Sequence, residues 1–148
     1  MPKATRDDLE LSALLLDAIP PLIRAIRAAM REYQGARFTV PQFRVLGFVS
    51  LQPCTSKQIA EWQGVSVPAM SRMVSALVRR GLLRRTRDSA DRRQIELRLS
   101  QRGRSEFGRL RLAIEAALAG RIALLPAAHK RALGTGLTAL EELFREAS

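Results

Sequence analysis

The sequence has few reactive or ligating side chains: one cysteine, one histidine, one tryptophan and one tyrosine in 148 residues. A lone Cys54 excludes a disulfide within the chain and points to a reducing, cytoplasmic setting. One cysteine and one histidine cannot assemble a usual zinc site. No cysteine or serine stands in a nucleophile motif, and no glycine-rich phosphate loop occurs. Neither an enzyme nor a cofactor is therefore expected. His129 follows Pro126-Ala127-Ala128 near a helix start and reads as a surface or interface residue. No apolar run is long enough to span a bilayer. Asp7, Asp8 and Glu10 precede the first apolar run, so a signal peptide is not expected either.

Positive charge is abundant. Lys and Arg number 25 against 14 Asp and Glu, a net charge of +11. Such an excess favours a polyanion, either nucleic acid or an anionic membrane surface, or serves solubility alone. No helix pairs a lysine-rich face with an aromatic-rich one, which argues against the membrane. The length suits one ordinary domain.

Four regions follow in order. Over 7–34, Leu11, Leu14, Leu15, Ala18, Ile19, Leu22, Ile23, Ile26, Met30 and Tyr33 recur at helical spacing. Pro20 and Pro21 interrupt that stripe, which predicts a kink near Ile19 or two helices meeting there. Over 38–81 three short helices are expected. Thr39 or Val40 opens the first, with Pro41 in its opening turn, and Gln52-Pro53 ends it. Thr55 with Gln58 makes a capping box for the second, and Gly64 suits a left-handed stop. Ser66 caps the third, which runs to about Arg80. Over 82–100 the period changes to two. Ile95, Leu97 and Leu99 alternate with Glu96 and Arg98, and Leu82 to Arg87 supply a partner strand, giving a hairpin with a basic tip. Over 101–148 the pattern is helical again, first through Phe107, Leu110, Leu112, Ile114 and Leu118, then from Pro126 through Leu133, Leu137, Leu140, Leu143 and Phe144.

The third short helix has two faces. Met70, Met73, Val74, Leu77 and Val78 mark a buried stripe. Pro68, Ser71, Arg72, Ser75 and Arg79 mark the other. Small hydrogen-bonding residues let a helix sit deep in a groove, and Arg72 offers a bidentate fork to guanine or phosphate. Base contacts in helix-turn-helix docking come from the N-terminal part of the second helix, which selects Ser66 to Arg72 as the reading end. Val67-Pro68-Ala69 there either meets thymine methyl groups or shapes the turn. From Lys57 to Arg98 there are 10 basic residues against 4 acidic. A finger bearing Arg92 and Arg93 can enter a narrow minor groove.

The stretches Ile59-Ala60-Glu61-Trp62-Gln63-Gly64-Val65-Ser66, Met70-Ser71-Arg72-Met73-Val74 and Leu77-Val78-Arg79-Arg80-Gly81-Leu82-Leu83 resemble the MarR family (multiple antibiotic resistance regulators). Asp91-Arg92-Arg93-Gln94-Ile95-Glu96-Leu97-Arg98-Leu99-Ser100 is similar to that family's wing signature, and Thr39 to Leu46 to its usual second helix. The resemblance implies a mainly α fold with a small β-wing. A winged helix-turn-helix would be flanked by N- and C-terminal dimerisation helices. The expected division is 1–37 and 102–148 for dimerisation and 38–101 for DNA binding. It implies a homodimeric regulator, a repressor or an activator, on a near-palindromic operator in double-stranded DNA. Ser66, Pro68, Ala69, Ser71, Arg72, Ser75, Arg79, Arg92 and Arg93 would contact DNA. Arg93 would be the minor-groove arginine. Asp91 would orient the wing through a neighbouring arginine, or simply form the turn. It further implies release by a small aromatic or amphipathic effector. Tyr33, Phe38, Phe43, Phe48 and Trp62 are the candidate lining, unless they are ordinary core. Oxidant-sensing relatives place their thiol in the N-terminal helix, so Cys54 is out of position for that role. A winged helix that binds protein or RNA without operator specificity is the alternative.

Overall fold

The structure is a computed structural model that describes residues 3–35, 37–87 and 95–145. The elements are α1 (Arg6–Glu32), α2 (Val40–Leu51), α3 (Ser56–Gln63), α4 (Val67–Arg79), β1 (Leu83–Arg87), β2 (Ile95–Leu99), α5 (Gln101–Ile122) and α6 (Ala127–Arg145). Local chemistry sets most of the helix starts. Thr39 with Gln42 and Thr55 with Gln58 form reciprocal capping boxes at α2 and α3. The hydroxyls of Ser66 and Ser100 cap α4 and α5. Pro41 and Pro68 occupy first turns, where no N–H is missed. Gly64 at φ 66° and Gly81 at φ 70° close α3 and the turn after α4 in the left-handed region, where a Cβ would be strained.

The anticipated break in α1 does not divide it. One helix runs from Arg6 to Glu32 with Pro20 and Pro21 inside it. The two prolines leave the carbonyls of Leu16 and Asp17 without helical donors. Both residues are exposed, so solvent is available to those oxygens and the interruption is tolerated. Thr5 and Asp8 add a third capping box at its start.

β1 and β2 pair antiparallel, with Leu83 opposite Leu99 and Arg85 opposite Leu97. The alternation read from the sequence holds for Leu97 and Leu99, which are buried, while Ile95 is exposed. A further pairing was not legible. Cys54 exchanges backbone hydrogen bonds with Leu97, at 3.4 Å and 2.7 Å, on the free edge of β2.

The main core gathers Val45, Leu46 and Val49 of α2, Ile59 of α3 and Met70, Val74 and Leu77 of α4. Leu82, Leu83, Leu97 and Leu99 at the base of the hairpin and Phe107 of α5 complete it. A second, smaller cluster joins Ala29 of α1 to Leu110 and Ile114 of α5. Gly103 lets the first turn of α5 approach the hairpin root: a Cβ there would collide with the Leu82 carbonyl. No described helix is long and apolar enough to cross a membrane.

Candidate nucleic-acid interface

The orientation of α4 is fixed by its apolar stripe. Met70, Val74 and Leu77 are fully buried, and Met73 and Val78 pack partly against the same core. That burial leaves the opposite face outward. Ser66, Val67, Pro68, Arg72 and Arg79 are exposed, whereas Ala69, Ser71 and Ser75 are half-buried. Ser66 accepts the Ala69 N–H at 3.4 Å, so its hydroxyl oxygen is occupied as a cap. Thirteen residues separate Ser66 from Arg79, roughly 20 Å along the axis. Arg72 therefore lies near the reading end and Arg79 near the far end.

Ser75 has a different partner from the one its position suggests. Arg85 Nη2 of β1 donates to its hydroxyl at 2.9 Å. This bond ties the hairpin to α4 and keeps the Arg85 guanidinium beside it. Arg84 and Arg87 are exposed on the same strand. Arg85 was readable only as part of a basic stretch; its role as a strut needed the register. Asp91, Arg92 and Arg93, the wing residues, lie outside the described residues.

The five aromatic candidates do not form one pocket. Phe43, Phe48 and Trp62 line an open cleft of about 350 Å³ with Phe107, Arg111 and Ile114. Phe43 and Phe107 have centroids 5.1 Å apart, and Phe48 and Trp62 4.7 Å. The Arg44 guanidinium lies 4.9 Å from the Trp62 ring centroid, a cation–π contact. Trp62 is 39 % exposed, so it is not core packing. Phe38 lines a separate cleft of about 400 Å³ with Met30, Arg27, Arg31 and Arg37. Tyr33 lines neither of these two clefts. Its hydroxyl donates to Glu106 at 3.4 Å, and burial, then the Glu106 charge, push its pKa up.

Cys54 is 2 % exposed. Burial first, and Glu96 second, push its thiol up to about 11. At neutral pH it stays a thiol, which disfavours nucleophilic or sensing chemistry. Among the described residues no group of three histidine, cysteine or carboxylate side chains could hold a metal.

Three helices followed by a β-finger, with an outward polar face on the third helix, define a winged helix-turn-helix protein. The MarR family model matches residues 38–94. The chain as a whole has the fold of MarR-family transcriptional regulators. It is similar to a MarR family protein from Bacillus stearothermophilus, with 20% identity and a TM-score of 0.80 over 97% of this chain and 99% of that one. It is similar to Streptococcus pneumoniae FabT, solved in complex with DNA, at 18% identity and a TM-score of 0.75, over 95% and 99% of the two chains. A Mycobacterium tuberculosis MarR family protein, solved with p-aminosalicylic acid, shares 26% identity and a TM-score of 0.70 over 88% and 97%. No curated protein matches the sequence.

Proposed function

We propose that the protein is a cytoplasmic transcriptional repressor that binds double-stranded DNA as a homodimer on a near-palindromic operator and leaves it when a small aromatic effector binds. The observation that carries the DNA reading is the outward face of α4, with Arg72 exposed and the basic strand β1 bonded to Ser75 beside it. A helix of that kind enters the major groove while the finger reaches the next minor groove. Arg72 reads a base or grips a phosphate at the N-terminal part of the helix. Ser71 assists from its half-buried position, and Arg79 meets the backbone. Ser75 acts through Arg85 rather than directly. Arg92 and Arg93 extend the basic finger, with Asp91 as wing support.

The dimer reading rests on the two ends of the chain. Leu11 and Leu14 of α1 face Leu133, Leu137 and Leu143 of α6 across a cleft of about 740 Å³, and all five are exposed. A continuous apolar surface of this kind is usually covered by protein. A second copy covers it symmetrically and sets two reading helices roughly 34 Å apart, one turn of DNA. Residues 1–37 and 102–148 then serve dimerisation and 38–101 DNA binding. The effector reading is supported by the cleft around Phe38, which Arg27, Arg31 and Arg37 line together with apolar Met30 and Val40. Cationic groups over an apolar floor suit an aromatic carboxylate.

Selection of binding sites from a random duplex pool tests the reading. The expected product is an inverted repeat, lost at one position with Arg72→Ala. Arg93→Ala is expected to weaken affinity for the recovered site while the protein stays folded. Recovery of no site, or equal competition by structured RNA at physiological salt, would exclude operator recognition.

A further inference from the structure

One side chain joins the far end of the reading helix to the connection between α1 and α2. Arg80 caps α4 and is half-buried, unlike its exposed neighbour Arg79. Its Nη1 donates to Gln42 Oε1 at 3.2 Å, and its Nη2 donates to the Arg37 carbonyl. Its guanidinium carbon lies 5.1 Å from the Phe38 ring centroid. Three contacts thus fix one planar group between two segments 38 to 43 residues apart.

Its acceptors are not incidental. Gln42 Oε1 also accepts the Thr39 N–H at 3.1 Å, the bond that starts α2. Gln63, at the end of α3, donates to the Pro41 carbonyl at 3.4 Å. The first turn of α2 is therefore bonded to the C-terminal ends of both helix-turn-helix helices, and the connection before it to that of α4. The same residues, Arg37, Phe38, Thr39 and Pro41, line the arginine-rimmed cleft. Phe38 both walls that cleft and carries Arg80.

We propose that Arg80 is a positioning residue that reports the state of the Arg27, Arg31 and Arg37 cleft to α4, so that a small organic anion bound there changes the pose of the reading helix through Arg80. The inference rests on the DNA-binding and effector reading above. An anion held by Arg37 and stacked near Phe38 acts on two of the three groups that Arg80 contacts. A guanidinium fork has fixed geometry, so it follows its acceptors or lets go. Either result alters α4, and the two states of α4 differ in affinity for DNA, which is what an effector requires. A lysine at this position is a point charge and cannot span both acceptors while stacking on the ring.

The test uses the duplex recovered by selection and p-aminosalicylate as the anion. Duplex affinity is measured for the parent, Arg80→Gln, Phe38→Leu, the double variant and Arg80→Lys, with circular dichroism to confirm folding. Saturating p-aminosalicylate is expected to weaken parent duplex binding about fivefold or more, the usual scale of coupling between sites. Arg80→Gln and Arg80→Lys should still bind the compound with parent affinity by calorimetry, yet show no change in duplex binding on its addition. Without the compound, the double variant should bind no more weakly than the weaker single variant, because both substitutions cut one link. If Arg80→Gln does not fold, Arg80→Lys decides. An Arg80 variant that responds like the parent, or additive losses in the double variant, overturns the proposal. A parent that binds duplex but not the compound removes the anion from the claim and overturns it as stated, while DNA binding stands. A parent that binds no duplex ends both readings together.

Discussion

Large apolar residues recur at helical spacing in α4 and in α6, yet the two stripes end differently. In α4, Met70, Val74 and Leu77 are sealed under α2, α3 and the hairpin. In α6, Leu133, Leu137 and Leu143 remain 39%, 55% and 66% exposed, opposite an α1 whose Leu9, Leu11, Leu14 and Leu16 are exposed in turn. An apolar stripe announces that a face will be covered, not which chain covers it. The middle of the molecule closes on itself. The two ends present a surface that a second copy completes under the proposed reading.

That contrast is sharpest if single leucines are removed from each part. Leu77→Ala leaves a void among residues with no room to collapse and should cost about 3 kcal/mol in urea unfolding. A next test separates close packing from open helix surface within α5. Gly103→Ala drives a methyl into the Leu82 carbonyl and should cost about 2 kcal/mol. Gly108→Ala, with open space around it, should instead gain about 0.5 kcal/mol from helix propensity, read from the same unfolding curves. At the chain ends, Leu137→Ala should leave secondary structure intact and raise the dimer dissociation constant about tenfold, the worth of roughly one buried leucine, by analytical ultracentrifugation. An unchanged assembly state would remove α6 from the interface.

The smallest effect probes how tightly the centre is closed. Cys54 should resist a disulfide-exchange reagent at pH 7.5 and react at once in denaturant. Its thiol ionises at about 11 in the folded chain, against 9.0 for the free group. The unfolded chain therefore loses this proton first as pH rises. The folded state holds the proton more tightly, so this group's contribution to stability is full below pH 9 and declines from pH 9 towards 11. Cys54→Ser should flatten that decline.

Much of the fold was legible because local signals agreed. The capping box at Thr55, the stop at Gly64, and the switch from helical to alternating spacing after Gly81 each mark a boundary that the structure keeps. The outward face of α4 was legible for the same reason, since its buried stripe determines the rest. What escaped depends on distant pairings. The Cys54 bridge, the Arg85 bond to Ser75 and the Arg80 fork join residues whose spacing carries no period. The aromatic residues were grouped by bulk alone, and the structure puts Phe43, Phe48 and Trp62 on one cleft, Phe38 on another and Tyr33 on neither. The prolines of α1 do not divide it into two helices, because only the carbonyls of Leu16 and Asp17 lose their helical donors.

The bridge between Cys54 and Leu97 carries a mechanical consequence. It makes β2 the middle rail of three, flanked by β1 on one side and by the turn entering α3 on the other. The root of the finger is thereby welded to the helices it accompanies. On a duplex, the root of the finger and α4 would press down as one stamp. Stretching the distance between major and minor groove contacts should defeat both at once, rather than peel the finger away first.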